Sequence, residues 1–210
     1  RPRPPPRRMK RELSRKAFHV ASTVLPLLVW LSPRPLAVAV LVPVAAAGLA
    51  VDVARLRLRW PRYHFLRLTP TMLRPHDRRG LAGPTYMAVA SALALLLFPK
   101  PLAVAAMLYN GLGDAAAALV GKRWGRHRTS WGKSWEGFAA ALGVNLAVGL
   151  AVGTLDPRFP FVGAVAGAVA GAALEFAPLP LDDNVRVTLG GGAAAWAASA
   201  LVWGALTPPA

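Results

Sequence analysis

Long apolar stretches that do not alternate with polar residues leave this chain few folds to choose from. Seven can be read, at 17–31, 35–51, 82–98, 101–121, 135–153, 159–177 and 187–206. Most approach the roughly 20 residues that a helix needs to cross hydrocarbon. Inside lipid the backbone must satisfy its own hydrogen bonds, which only helices and closed barrels achieve. Barrel strands would alternate apolar and polar residues, and these stretches do not. The sequence therefore predicts an all-α fold, a polytopic membrane bundle of about seven transmembrane helices. Only 16% of the residues are charged, against about 25% in soluble domains.

The basic residues set an orientation. The tail through Lys16 holds eight, the loop at 52–81 eight, the loop at 122–134 five and the segment 178–186 one. The intervening turns hold one each: Arg34, Lys100 and Arg158. The positive-inside rule then predicts a cytoplasmic N-terminus. A net charge of +16 would suggest nucleic acid in a soluble chain. Here the cations lie between apolar runs, so no nucleic-acid partner is expected. The absence of cysteine excludes disulfides and thiolate metal sites.

Residues 1–12 read as a disordered basic tail and 13–210 as a single transmembrane domain. The positive start and apolar run resemble a secretory signal. A Pro-rich tail and further apolar runs to the end favour a retained helix instead. The Arg-, Leu- and aromatic-rich stretch at 54–68 suits the membrane interface beside anionic headgroups. Small residues crowd the later spans and predict close helix packing. The glycines at 190–192 lower helix propensity, so the seventh helix is expected to start a few residues late.

Eight of the nine acids fall on the cytoplasmic side of this topology, with Asp156 the exception. Asp114 lies inside the fourth span, where a carboxylate costs roughly 2.5–3.5 kcal/mol. Helical spacing puts Asn110, Asp114, Ala117 and Gly121 on one face. A basic, glycine-containing loop with Lys122, Arg123, Gly125 and Arg128 follows, and the next helix opens at Lys133, Ser134 and Glu136. Glycines allow close backbone approach. Cations and helix N-termini favour phosphate, and a carboxylate can hold Mg²⁺ against nucleotide phosphates. Ser134 suits either a helix cap or a phosphate ligand. The spacing does not match a P-loop.

Glu12, Arg15, Lys16 and His19 share a helix face at the entry of the first span. They suit either an interfacial anchor or part of a site. Glu175, Asp182, Asp183 and Asn184 form a late acidic turn, suited to a hard cation or to turn formation alone.

Together these residues resemble the CTP-dependent lipid-alcohol kinase family that includes dolichol kinase, phytol kinase and CTP-dependent diacylglycerol kinase. The resemblance rests on Asp114, Ala117, Gly121, Gly125, Lys133, Ser134, Glu136 and Gly137. The opening Glu12, Arg15, Lys16 and His19, with Gly83–Tyr86 and Asp182–Asn184, also look like family features. Length and the basic second loop are most like the short bacterial members. Gly132 stands where some family members have a second lysine, and Arg128 lies in a region where lysine is usual.

The resemblance implies CTP as phosphoryl donor, Mg²⁺, and a long-chain alcohol or other lipid hydroxyl as acceptor, such as phytol or a polyprenol. The expected setting is the inner membrane of a bacterial-type cell, with the site facing the cytoplasm. Asp114, Asp182, Asp183 and Glu175 are the expected metal set. Asn110, Ala117, Gly121, Lys122, Arg123, Gly125, Arg128, Lys133, Ser134, Arg15 and Lys16 are the expected nucleotide set. Asp114, Lys133, and Glu136 or His19 as proton acceptor are the expected catalytic groups. A homodimer stays open. The nearest rival is a CTP:phosphatidate cytidylyltransferase, but Ala118 stands where that family expects serine. A small transporter is a further alternative.

Overall fold

The structure is a computed structural model that describes residues 23–58 and 80–204. Every regular element among them is helical. We number the helices α1 (Val24–Leu31), α2 (Arg34–Arg57), α3 (Gly83–Leu97), α4 (Lys100–Arg123), α5 (Trp135–Leu155), α6 (Phe161–Phe176) and α7, which opens at Asp183–Val185 and continues as Gly191–Trp203. Four of them, α2, α4, α5 and α7, are long and apolar enough to cross a membrane. Helices α3 and α6 are apolar but shorter, with 15 and 16 residues.

Proline marks three of the starts. Pro35, Pro84 and Pro101 lie in first turns, where the missing N–H costs nothing and φ is already helical. The bundle is then held by stripes of small residues four apart. Gly163 and Gly167 on α6 face Ala195 and Gly191 on α7 so closely that a Cβ at Gly163 would lie 2.9 Å from the Ala195 carbonyl. Gly149 on α5 meets Ala164 on α6 in the same way, at 3.1 Å. Water-driven burial does not pull helices together in lipid, so such close packing supplies the association.

Two helices widen into π turns, Tyr109–Gly113 in α4 and Arg186–Gly190 in α7, and these turns pack against each other. The seventh helix does not start late, as the glycines suggested. It starts at Asp183, capped by the Asp182 side chain, which accepts from Asn184 N. The glycines are required by neighbours instead: a Cβ at Gly192 would meet the Phe98 ring at 2.4 Å, and one at Gly190 would meet Leu174 at 2.3 Å.

A buried ion pair closes the base of α2 onto the start of α3. Asp52 and Arg55 are 1% and 2% exposed and bond to each other. Asp52 Oδ2 also accepts from Ala82 N at 2.7 Å, and Arg55 donates to the Gly80 carbonyl at 2.8 Å. The two ends of the long basic loop are thereby fixed beside each other.

Candidate active site

The C-terminal half of α4, the loop after it, the start of α5 and the end of α6 enclose a cavity of about 230 Å³. Its walls carry Asp114, Ala117, Ala118, Gly121, Lys122, Arg128, Gly132, Lys133, Ser134, Gly137, Phe138, Glu175 and Phe176. Two carboxylates and three cations thus face one space at one end of the bundle.

The loop is built to present those cations. Arg128 and Ser134 form an antiparallel bridge. Thr129 N donates to the Lys133 carbonyl at 2.8 Å, and Trp135 N to the His127 carbonyl at 3.0 Å. Gly132 turns the chain at φ +90°, a conformation L side chains rarely adopt. That accounts for glycine at a position where some members of the resembling family have lysine. The Arg128 guanidinium reaches back to the Gly121 carbonyl at 2.6 Å and the Gly132 carbonyl at 3.1 Å, so its fork is fixed rather than swinging in solvent.

Ser134 resolves as a cap. Its Oγ accepts from Gly137 N at 3.1 Å, while the side chain also borders the cavity. Gly121, Gly125 and Gly137 crowd around it. A Cβ at Gly125 would sit 2.2 Å from the Gly121 carbonyl and 2.7 Å from Ser134 Oγ, and one at Gly137 would sit 2.8 Å from the Ala117 carbonyl. These glycines serve first to bring α4 and α5 together around the hydroxyl, a role the phosphate-cradle reading did not include.

Glu136 is tied to the loop. Its Oε1 accepts from Arg126 N and His127 N, each at 3.1 Å, and pairs with His127 Nδ1 at 2.7 Å. It is absent from the cavity wall, as are Arg123 and Gly125. Asn110 also lies off the wall, contrary to the spacing argument. The π turn at Tyr109–Gly113 inserts extra backbone between Asn110 and Asp114, so an i, i+4 pair no longer shares a face. Asn110 instead donates to Asn184 Oδ1 at 2.9 Å, and Asn184 donates to Asp182 Oδ1 at 2.8 Å. Asp183 pairs with Arg186, which also donates to the Ala177 carbonyl at 2.6 Å.

On the opposite wall Lys133 Nζ lies 2.7 Å from Glu175 Oε1 and also donates to the Glu175 carbonyl. Beside it Trp131, Trp135, Phe138 and Phe176 form an aromatic cluster, with the Trp131 indole N–H bonded to the Phe176 carbonyl at 3.0 Å. The aromatic wall escaped the sequence reading because its members come from three separate segments. Arg15, Lys16 and His19 lie outside the described residues.

Among the described residues no three acid or histidine side chains converge to cage a metal. Mg²⁺ does not need such a cage, because it is held by one or two carboxylates with substrate phosphates and water completing its shell. Asp114 on the cavity wall supplies one such carboxylate. The donor set fits the ion.

The comparisons with known proteins settle the family. The chain is 34% identical over 201 residues to the phytol kinase of Synechocystis, spanning 90% of this chain and 81% of that protein. It belongs to the CTP-dependent lipid kinase family. An uncharacterized protein of Rickettsia prowazekii is 28% identical over 187 residues, 85% of this chain and 90% of its own length. The CTP-dependent diacylglycerol kinase 1 of Schizosaccharomyces pombe is 27% identical over 138 residues, 64% of this chain and 62% of that protein. No family model matches, and no solved structure matches. Membership and the four apolar helices together make this lipid kinase homologue an integral membrane protein.

Proposed function

We propose that this lipid kinase homologue transfers the terminal phosphoryl group of CTP to the hydroxyl of a long-chain alcohol, phytol or a polyprenol, at the cytoplasmic face of the inner membrane. One observation carries the reading: Asp114 and Glu175 share a cavity with Lys122, Arg128 and Lys133 at one end of an apolar bundle. That is the charge pattern a nucleoside triphosphate and a divalent ion require. The names of the two kinase relatives support the donor and the acceptor class.

In this reading the cavity receives the phosphates. At about 230 Å³ it falls below the 300–1,000 Å³ of pockets for whole drug-sized ligands, so the nucleoside extends beyond it. Arg128 offers a fixed fork and Lys133 and Lys122 offer ammonium groups, neutralising charge along the chain of phosphates. Asp114 would hold Mg²⁺, which supplies charge neutralisation and orientation of the phosphates when bound. The lipid hydroxyl enters sideways from the bilayer. Phosphoryl transfer asks mainly for positioning and electrostatic stabilisation, and a wall of fixed cations provides both. Glu136 holds the loop through Oε1, and it and His19 are the two candidate acceptors of the hydroxyl proton.

The test is turnover by purified protein with γ-labelled CTP and a panel of lipid alcohols. The expected product is a labelled lipid monophosphate with release of CDP. Asp114→Asn is expected to reduce turnover by about a hundredfold to a thousandfold, on the order of the loss of a main electrostatic group. With phosphatidate in place of the alcohols, release of labelled pyrophosphate and formation of a CDP-lipid would instead establish the cytidylyltransferase reading.

A further inference from the structure

We infer that Glu175 acts as the positioning residue of Lys133 and not as a metal ligand. The inference rests on the kinase reading above and deepens it. A lysine ammonium ends a flexible four-carbon stem and carries three N–H donors. Here Glu175 takes two of them, one through Oε1 at 2.7 Å and one through its own backbone carbonyl. The third donor is left to aim at the cavity that both residues line.

The two acceptors do different things. The carbonyl belongs to the last turn of α6 (Phe161–Phe176), where the final carbonyls of a helix lack intrahelical partners and attract cations. It fixes the place of the ammonium. The carboxylate fixes its direction and balances its charge in a wall where Glu175 is only 7% exposed. Lys133 itself stands just before Ser134, the cap of α5. The pair therefore ties the start of α5 to the end of α6 through the group that meets phosphate. Oε1, already accepting from an ammonium, is a poor ligand for a second cation, and a cation at either oxygen of this carboxylate would stand close to the Lys133 charge.

A residue that acts only through Lys133 has distinctive kinetics. Without the negative charge the ammonium keeps its own charge but loses the charge-assisted bond that holds its direction. Ground-state attraction for CTP then persists while the transition state is met less well. Glu175→Gln is expected to lower kcat on the order of tenfold to a hundredfold, to leave KM for CTP within about threefold, a margin that uniform binding would exceed, and to leave the Mg²⁺ concentration for half-maximal rate unchanged. Glu175→Asp should recover part of kcat.

The deciding measurement is a double-mutant cycle, Glu175→Gln against Lys133→Ala. If Glu175 acts through Lys133, the double variant is no slower than Lys133→Ala alone. Additive losses, or a Mg²⁺ requirement raised about tenfold or more by Glu175→Gln, would overturn the inference and return Glu175 to the metal. Wild-type rates from Glu175→Gln would overturn it too. A melting temperature for each variant in detergent separates misfolding from kinetics. Should Glu175→Gln not fold, the Lys133→Ala background with Glu175→Asp supplies the same cycle. Wild-type protein that phosphorylates no lipid alcohol would defeat the kinase reading itself, and this inference with it.

Discussion

At single positions the chemistry and the packing of the motif are inseparable. Gly125 is the clearest case, because its missing Cβ leaves room for the Gly121 carbonyl and Ser134 Oγ at once. Gly125→Ala is expected to destabilise the protein by about 1–3 kcal/mol through overpacking. Gly143→Ala, where a Cβ meets nothing within 4 Å, should be neutral or mildly stabilising. Thermal melts of the two in detergent make the comparison, and equal melting temperatures would refute the packing role. Gly132→Lys should cost about 1–2 kcal/mol for a left-handed backbone, so the lysine of some family members is expected to reduce stability here. The spacing of Asp114, Gly121, Gly125, Lys133 and Ser134 was readable from sequence. Their division of labour was not, since spacing does not say which carbonyl fills the space a glycine leaves. Glu136 shows the same limit: spacing does not say that its Oε1 accepts from two backbone amides of the loop.

Among the helices, what the sequence could count and what it could not differ in kind. Among the described residues each apolar stretch coincides with a helix, and four of these helices are long and apolar enough to cross a membrane. Phase was lost at the two π turns, since nothing in Tyr109–Gly113 announces an extra residue, and Asn110 was consequently assigned to the wrong face. The turns at the other end of the bundle show how ends are finished. Lys100 donates to the Trp30 and Ser32 carbonyls, each at 2.7 Å, and Arg34 donates to the Leu95 carbonyl at 2.9 Å. These cations, which run against the positive-inside bias, satisfy helix C-termini. In the turn after α5, Asp156 accepts from Arg158 Nη2 at 2.7 Å and Nε at 2.9 Å. The hydrogen bond from the Arg158 side chain is the largest influence holding this carboxyl below its ordinary range. A depressed carboxylate adds stability above its unfolded pKa of about 3.9 and loses it as pH falls through the folded value. Asp156→Asn should therefore cost at most about 1 kcal/mol at pH 7, with the gap from wild type closing on acidification. A gap that widens as pH falls contradicts this.

Across the whole molecule, orientation and cohesion can both be tested. The chain has no cysteine, so single cysteines report sidedness without background. Ser130→Cys in the basic loop is expected to react with an impermeant thiol reagent only from the cytoplasm, and Pro157→Cys only from outside. The reverse pattern would invert the topology and remove the cytoplasmic CTP supply from the mechanism. The Asp52–Arg55 pair was invisible to sequence reading because charge counting treats both as loop residues. Removing one partner of a buried pair costs about 3–5 kcal/mol, so Asp52→Asn should lower the melting temperature far more than substitutions in the exposed loop. One consequence follows from the π turn of α4. Above it, toward Lys100, the helix is buried on every side, and below it the same helix carries Asp114 and the ionic wall. Rotating the lower half independently of the upper lets the greasy upper packing change while Asp114 and the cations beside it stay in register.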